Sequence, residues 1–153
     1  MSAHELGGPT NRRPPFRYSA FTRVWFSDTD AQGVVYYGRY MPYFDHARTE
    51  YHRHLGLGPT RDHGELAMRA SAVAYVAPAR FDDLLEVFVR MSRLGTTSVT
   101  FECAAFRVAD DAPMCTATQT LVFIDADRRK LPLPDAYRRA VEAFEAGAFV
   151  AVP

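Results

Sequence analysis

The chain contains little cysteine and no excess of charge of either sign. Cys103 and Cys115 are the only cysteines among 153 residues, and they form no CxxC pair. This excludes a disulfide scaffold and a cysteine-rich zinc site, and it favours two core thiols in a reducing compartment. The 18 Lys and Arg residues balance 18 Asp and Glu residues. A neutral chain has no bulk attraction for nucleic acid or anionic membranes, so we expect neither as a partner.

Long apolar runs and metal-binding spacings are also missing. No apolar stretch approaches the ~20 residues needed to span a bilayer, and the polar start lacks the apolar region of a secretory signal. We therefore expect a cytoplasmic protein without membrane insertion. The five histidines form no HExxH or comparable motif, so we predict no metal and no other cofactor.

The hydrophobic pattern predicts one α+β domain. We expect a flexible, Gly- and Pro-rich tail over residues 1–15 and a single domain over residues 16–153. Alternating residues from Tyr18 to Phe26 share one face and predict a first strand, and apolar residues at spacings of three and four predict a long helix over residues 38–55. Four more strands are predicted at about 66–76, 84–94, 97–108 and 114–124, followed by a short helix over 134–146. This order favours a curved antiparallel sheet of about five strands wrapped around one long central helix.

The segment before the long helix carries the most unusual chemistry. Asp28 and Asp30 precede the predicted helix start near Tyr37 by a few residues. The free N–H groups and dipole of a helix start stabilise negative charge. The pattern therefore suits an oxyanion hole beside a carboxylate nucleophile or base. Local composition by itself favours an N-cap and an Asx turn that only shape the loop.

Three blocks of sequence carry a resemblance to a known family. They read VWFSDTDAQGVVYY at residues 24–37, YVAPARFDDLLEV at 75–87 and GTTS at 95–98. In this order, over about residues 18–146, the chain resembles the hotdog-fold acyl-CoA thioesterases. The closest likeness is to the 4-hydroxybenzoyl-CoA thioesterase-like subfamily, including its Tol-Pal-associated members. The resemblance implies a homodimer with one continuous sheet, often a homotetramer, with active sites at the dimer interface.

The resemblance also implies site residues for the hydrolysis of acyl-CoA to free acid and CoA. Asp30 matches the catalytic aspartate, and Tyr37 matches the position whose backbone N–H polarises the thioester carbonyl. Asp30 either attacks the carbonyl or activates a water molecule, and both routes stay open. Further substrate contacts are expected from Gly33, Val34, Tyr36 and Ser98.

Two departures from the family bear on the substrate. Tyr37 stands where many Tol-Pal-type relatives carry His. The turn at residues 95–97 lacks the basic run of the hydroxybenzoyl enzyme. The candidates for alternative phosphate contacts are arginines outside this turn, although each taken alone suits a solvated surface charge better; they are Arg80, Arg90, Arg93 and Arg128.

Rival residues and rival functions accompany this interpretation. Asp45 is the main rival for the catalytic role, although it also suits pairing with Arg48, and His46 with Glu50 suits a surface pair. The alternative functions are a hotdog hydratase or dehydratase and a non-catalytic acyl-CoA-binding or interaction protein.

Overall fold

A computed structural model describes residues 6–58, 64–146 and 150–151. Seven strands and two helices follow in chain order: β1 (Gly7–Pro9), β2 (Tyr18–Arg23), α1 (Tyr40–His54), β3 (Glu65–Tyr75), β4 (Leu84–Leu94), β5 (Ser98–Arg107), β6 (Ala112–Ile124), α2 (Asp135–Glu145) and β7 (Val150–Ala151). Within these described ranges, neither helix is long and apolar enough to cross a membrane.

The strands form one sheet with the order β1-β2-β4-β5-β6-β3. All neighbours in this order are antiparallel, and the short β7 runs parallel to the end of β4. The predicted α+β hotdog arrangement is confirmed, with each long strand and both helices within a few residues of the expected bounds. The expected count of about five strands is too low, because the path of the sheet contains six.

The sixth strand comes from the segment that we expected to be a flexible tail. Gly7–Pro9 pairs with β2, Arg12 forms an ion pair with Glu86, and the Arg13 guanidinium lies 3.6 Å from the centre of the Phe106 ring. The composition of the segment did not reveal these contacts, because the partners of Arg12 and Arg13 lie about 70–100 residues further along the chain. Residues 1–5 of the expected tail lie outside the described residues.

Helix α1 supplies one side of the hydrophobic core. The aromatic stripe predicted from the sequence is buried, as shown by Tyr40, Tyr43, Phe44 and Tyr51. It packs against the inward-facing residues of the sheet, which include Leu85, Val87, Val89, Val99, Phe101 and Cys103. Pro42 lies in the first turn of α1, where the missing N–H costs no helical hydrogen bond.

The end of β2 differs from the prediction in a way that matters for the site. The alternating pattern extended the first strand to Phe26 on the same face as Tyr18, but β2 ends at Arg23 and Phe26 is exposed in a 3-10 turn over Phe26–Asp28. The Asp28 carboxylate accepts a hydrogen bond from the Trp25 backbone N–H at 2.9 Å. This local bond replaces strand pairing and starts the loop that leads to α1.

Candidate active site

The loop between β2 and α1 forms a narrow antiparallel ribbon. Thr29 pairs with Val35, and the Asp30 N–H donates to the Val34 carbonyl oxygen at 2.9 Å. Gly33 closes the turn with a φ of +76°, a conformation that a residue with a side chain adopts at a cost. The ribbon therefore holds Asp30 a fixed distance from the start of the helical segment.

Asp28 links this ribbon to the long helix by a hydrogen bond. Its Oδ2 atom accepts the Tyr43 hydroxyl at 2.8 Å in addition to the Trp25 N–H. Burial, and then the neighbouring Asp28 carboxylate, raise the pKa of Tyr43, so this hydroxyl stays protonated and donates. The capping interpretation of Asp28 is thus confirmed. The sequence assigned Tyr43 to the core stripe and gave no sign of this second role.

Asp30 has one carboxylate oxygen engaged and one available. Oδ1 accepts the Gln32 backbone N–H at 2.8 Å, which is the Asx turn considered from the sequence. Within the described parts of the chain, the other oxygen has no hydrogen-bond partner. The turn fixes the direction of the carboxylate and leaves its second oxygen free for chemistry.

The helical segment starts with an unpaired backbone donor. Tyr37 is the first residue of a 3-10 turn, Tyr37–Arg39, that continues directly into α1. No acceptor for its N–H lies within residues 6–58, 64–146 or 150–151, whereas its carbonyl oxygen accepts the Tyr75 hydroxyl at 3.0 Å. A free N–H at a helix start is suited to binding a developing oxyanion.

Tyrosine side chains line this end of the helix. The rings of Tyr36 and Tyr37 lie 4.2 Å apart, and the Tyr75 ring meets Tyr37 edge-on at 6.4 Å. Tyr36 and Tyr37 are exposed. The hydrogen bond with Tyr37 raises the pKa of Tyr36, so its hydroxyl is neutral at ordinary pH. These rings border an open surface beside Asp30 and lie outside the core.

Ser98 does not join the other predicted residues within one subunit. Arg23 pairs with Leu84, so the loop lies where β4 begins, whereas Ser98 follows the turn after Leu94. Eleven residues of strand separate these ends by roughly 30 Å. The family resemblance led us to expect Ser98 near the loop, but the sequence did not show which end of the sheet each segment occupies.

The rival carboxylate Asp45 is engaged elsewhere. It forms an ion pair with Arg48, as the sequence suggested, and the buried Arg48 also donates to Gln119. The predicted pair of His46 and Glu50 is wrong. His46 contacts the Phe21 carbonyl oxygen at 2.9 Å, and the buried Glu50 accepts a hydrogen bond from Arg53.

No group of three or more potential metal ligands occurs in the part of the chain that the structure describes. Arg90 pairs with Glu102, which removes one of the candidate phosphate contacts from the open surface.

Comparisons with known proteins agree with the fold. Residues 24–141 match the thioesterase-like superfamily, and the chain belongs to this family. The acyl-CoA thioesterase YbgC of Haemophilus influenzae is 33% identical over 130 residues, which cover 82% of this chain and 92% of that protein.

Two solved structures illustrate the shared architecture. A thioesterase-superfamily protein from Jannaschia sp. CCS1 has a TM-score of 0.79 at 23% identity, covering 92% of this chain and 89% of that chain. The probable thioesterase from Bartonella henselae has a TM-score of 0.70 at 27% identity, covering 76% of this chain and 98% of that chain.

Proposed function

We propose that the protein hydrolyses acyl-CoA thioesters to a free acid and CoA, with Asp30 and the Tyr37 backbone N–H as its catalytic groups. The observation that carries the proposal is the juxtaposition on one short loop of a free carboxylate oxygen and a free helix-start N–H. The similarity to the acyl-CoA thioesterase YbgC supports the choice of substrate class.

The chemistry requires few groups because a thiolate is a good leaving group. The Tyr37 N–H donates to the carbonyl oxygen as negative charge develops there, and the helix dipole adds to this stabilisation. Asp30 either removes a proton from the attacking water or attacks the carbonyl carbon to form a mixed anhydride, which water then cleaves. In both routes one water is consumed and the CoA sulfur leaves as a thiolate that takes up a proton.

Substitution of Asp30 tests the carboxylate. We expect Asp30→Asn and Asp30→Ala to lower kcat at least about a hundredfold with little change in KM, as for a group that acts in the transition state. Thiol release from short, medium, long and aromatic acyl-CoA substrates is the assay. Asp45→Asn is the matched control and should retain turnover. Near-normal turnover by folded Asp30→Ala, or loss confined to Asp45→Asn, would contradict the assignment.

The backbone donor at residue 37 can be removed by proline. Tyr36 has φ −60° and ψ 135°, which a residue preceding proline adopts readily, and proline is accepted at the first helical position. Tyr37→Pro deletes the N–H, whereas Tyr37→Ala removes only the ring. We expect kcat of Tyr37→Pro to fall about a hundredfold below that of Tyr37→Ala. Equal rates would show that this N–H does not stabilise the oxyanion.

We also propose a homodimer formed through β3. This strand ends the path of the sheet, and most of its eleven residues are exposed on both faces. An edge strand of this length is a ready template for pairing with a second copy. Antiparallel pairing brings the Glu65 end of the second copy, where its Ser98 also lies, towards the loop beside Tyr75. This arrangement gives Ser98 the substrate contact expected from the family.

Oligomeric state and activity test the dimer together. Ala72→Lys places a charge in the middle of the exposed edge and is expected to shift the protein to monomers, with loss of turnover. Light scattering after size-exclusion chromatography measures the mass. An active monomer would refute a site shared between subunits.

A further inference from the structure

An exposed arginine lies beside the candidate catalytic loop. Arg80 pairs with Val34 in an antiparallel bridge, and the Asp30 N–H donates to Val34 from the other side. Laterally paired residues point to the same face and have Cβ atoms about 5 Å apart, so Arg80 lies about 10 Å from Asp30 on one face of this ribbon. Arg80 is exposed, and its guanidinium makes no hydrogen bond or ion pair with the described residues.

The Asp83 carboxylate, three residues after Arg80, contacts a different guanidinium. The Asp83 carboxylate accepts the Arg80 backbone N–H at 2.9 Å and lies 3.6 Å from the Arg107 guanidinium. Arg23 approaches the same turn and donates to the Asp82 carbonyl oxygen at 2.9 Å. The turn therefore presents two arginines to solvent, while Asp83 is already engaged by Arg107.

Exposed aromatic rings occur on the same turn, where Phe81 directly follows Arg80 in the chain. The Phe26 side chain is 76% exposed and the Phe81 side chain 56%, and their rings meet edge-on at 5.8 Å. Trp25, which precedes Phe26, is 68% exposed. Three large exposed rings at one end of a sheet are typical of a binding surface.

We propose that Arg80, Phe26 and Phe81 bind the 3′-phosphorylated adenosine diphosphate end of coenzyme A. This inference rests on the proposed function, which supplies the ligand. A guanidinium pairs well with phosphate oxygens, and aromatic rings offer stacking surfaces to a purine base. The surface combines both features on the turn beside the loop that holds Asp30. It also supplies phosphate contacts in a chain that lacks a basic run at residues 95–97.

Trp25 allows binding to be measured without turnover. It is the only tryptophan in the chain, so its fluorescence reports on ligands bound at this surface. We expect CoA and adenosine 3′,5′-bisphosphate to quench it saturably. Arg80→Gln should weaken both about tenfold or more, and Phe81→Ala about fivefold or more. Arg139→Gln, an exposed arginine on α2, is the matched control and should bind like the wild type. Equal binding by Arg80→Gln and the wild type, or an equal loss in Arg139→Gln, would overturn the proposal.

A truncated substrate separates this inference from the proposed hydrolysis. With acyl-CoA, Arg80→Gln should raise KM about tenfold. With the N-acetylcysteamine thioester of the same acyl group, which lacks the nucleotide, its KM and kcat should match those of the wild type. Equal losses with both substrates would show that Arg80 acts on the loop and would overturn the proposal. Binding that depends on Arg80 in a protein that hydrolyses neither substrate would support this site and refute the proposed hydrolysis.

Light scattering distinguishes the nucleotide from a second copy of the chain as the occupant of this surface. The masses of Arg80→Gln and Phe81→Ala should equal that of the wild type. Dissociation of either variant would identify a subunit contact and overturn the proposal.

Discussion

The fully buried carboxyl of Glu145, at the end of α2, gives a pH-dependent prediction for stability. Its Oε2 atom accepts the Tyr51 hydroxyl at 2.9 Å and the Met91 backbone N–H at 2.7 Å. Its Oε1 atom is buried without a hydrogen-bond partner in the described part of the chain. Burial raises the pKa of Glu145, and this outweighs the opposing effects of the two hydrogen bonds and of Arg90 and Arg17.

The direction of the pH effect follows from this raised pKa. The folded protein holds the Glu145 proton more tightly than the unfolded chain does, so the contribution of this group to stability is complete below the ordinary pKa of 4.5. The contribution is lost as the pH rises through the folded pKa. Glu145→Gln keeps the shape of the protonated form and does not ionise. We therefore expect the variant and the wild type to be equally stable at pH 4 and the variant to be more stable at neutral pH.

The size of the difference comes from the ionisation of the buried carboxyl. Each unit by which the folded pKa exceeds 4.5 corresponds to about 1.4 kcal/mol of stability at neutral pH, and about 3 °C of Tm accompanies each kcal/mol in a chain of this length. Glu145→Gln should therefore raise Tm at pH 7.5 by about 4 °C for each unit of that difference.

Thermal unfolding at several pH values and fixed protein concentration measures this difference. Glu142→Gln, an exposed change on the same helix, is the control. A Tm difference that does not vary with pH would refute the reasoning, as would a variant that is less stable at neutral pH.

Three further predictions concern the helix, the loop and the N-terminal segment. Burial, and then the Arg48 charge, lower the pKa of His52 to about 4. The free energy of unfolding should therefore fall as the pH drops from about 6.5 towards 4. In His52→Gln the acid-unfolding midpoint should move to lower pH, and an unchanged midpoint would contradict this. Tyr43→Phe removes the hydroxyl that donates to Asp28. The free energy of unfolding measured in urea should fall by about 1 kcal/mol, and kcat should fall severalfold. Unchanged turnover would show that this hydrogen bond does not position the loop. Arg13→Ala uncovers the Phe106 and Phe88 rings and should lower the free energy of unfolding by about 1 kcal/mol, whereas equal urea midpoints would show that the segment contributes no stability.

The main elements were predictable because each has a local signature. The spacing of Tyr40, Tyr43, Phe44 and Tyr51 specified a helix with one buried face. The end of this helix was predictable because Gly56 readily adopts the positive φ that is common just after a helix. The strands from β3 to β6 showed alternation and short turns, which favour an antiparallel sheet. In contrast, β1 has no hydrophobic pattern, and the arginines that follow it contact Glu86 and Phe106 far along the chain.

The sequence by itself determined the α+β class, the central helix and the loop that carries Asp30 and Tyr37, because these depend on local spacing and on the chemistry of a helix start. Only the tertiary structure decided how the residues of that loop divide their roles. It engaged Asp28 with Tyr43, left one Asp30 oxygen and the Tyr37 N–H free, and placed Ser98 at the other end of the sheet. These outcomes depend on hydrogen bonds and strand register between distant segments, which local sequence patterns do not encode.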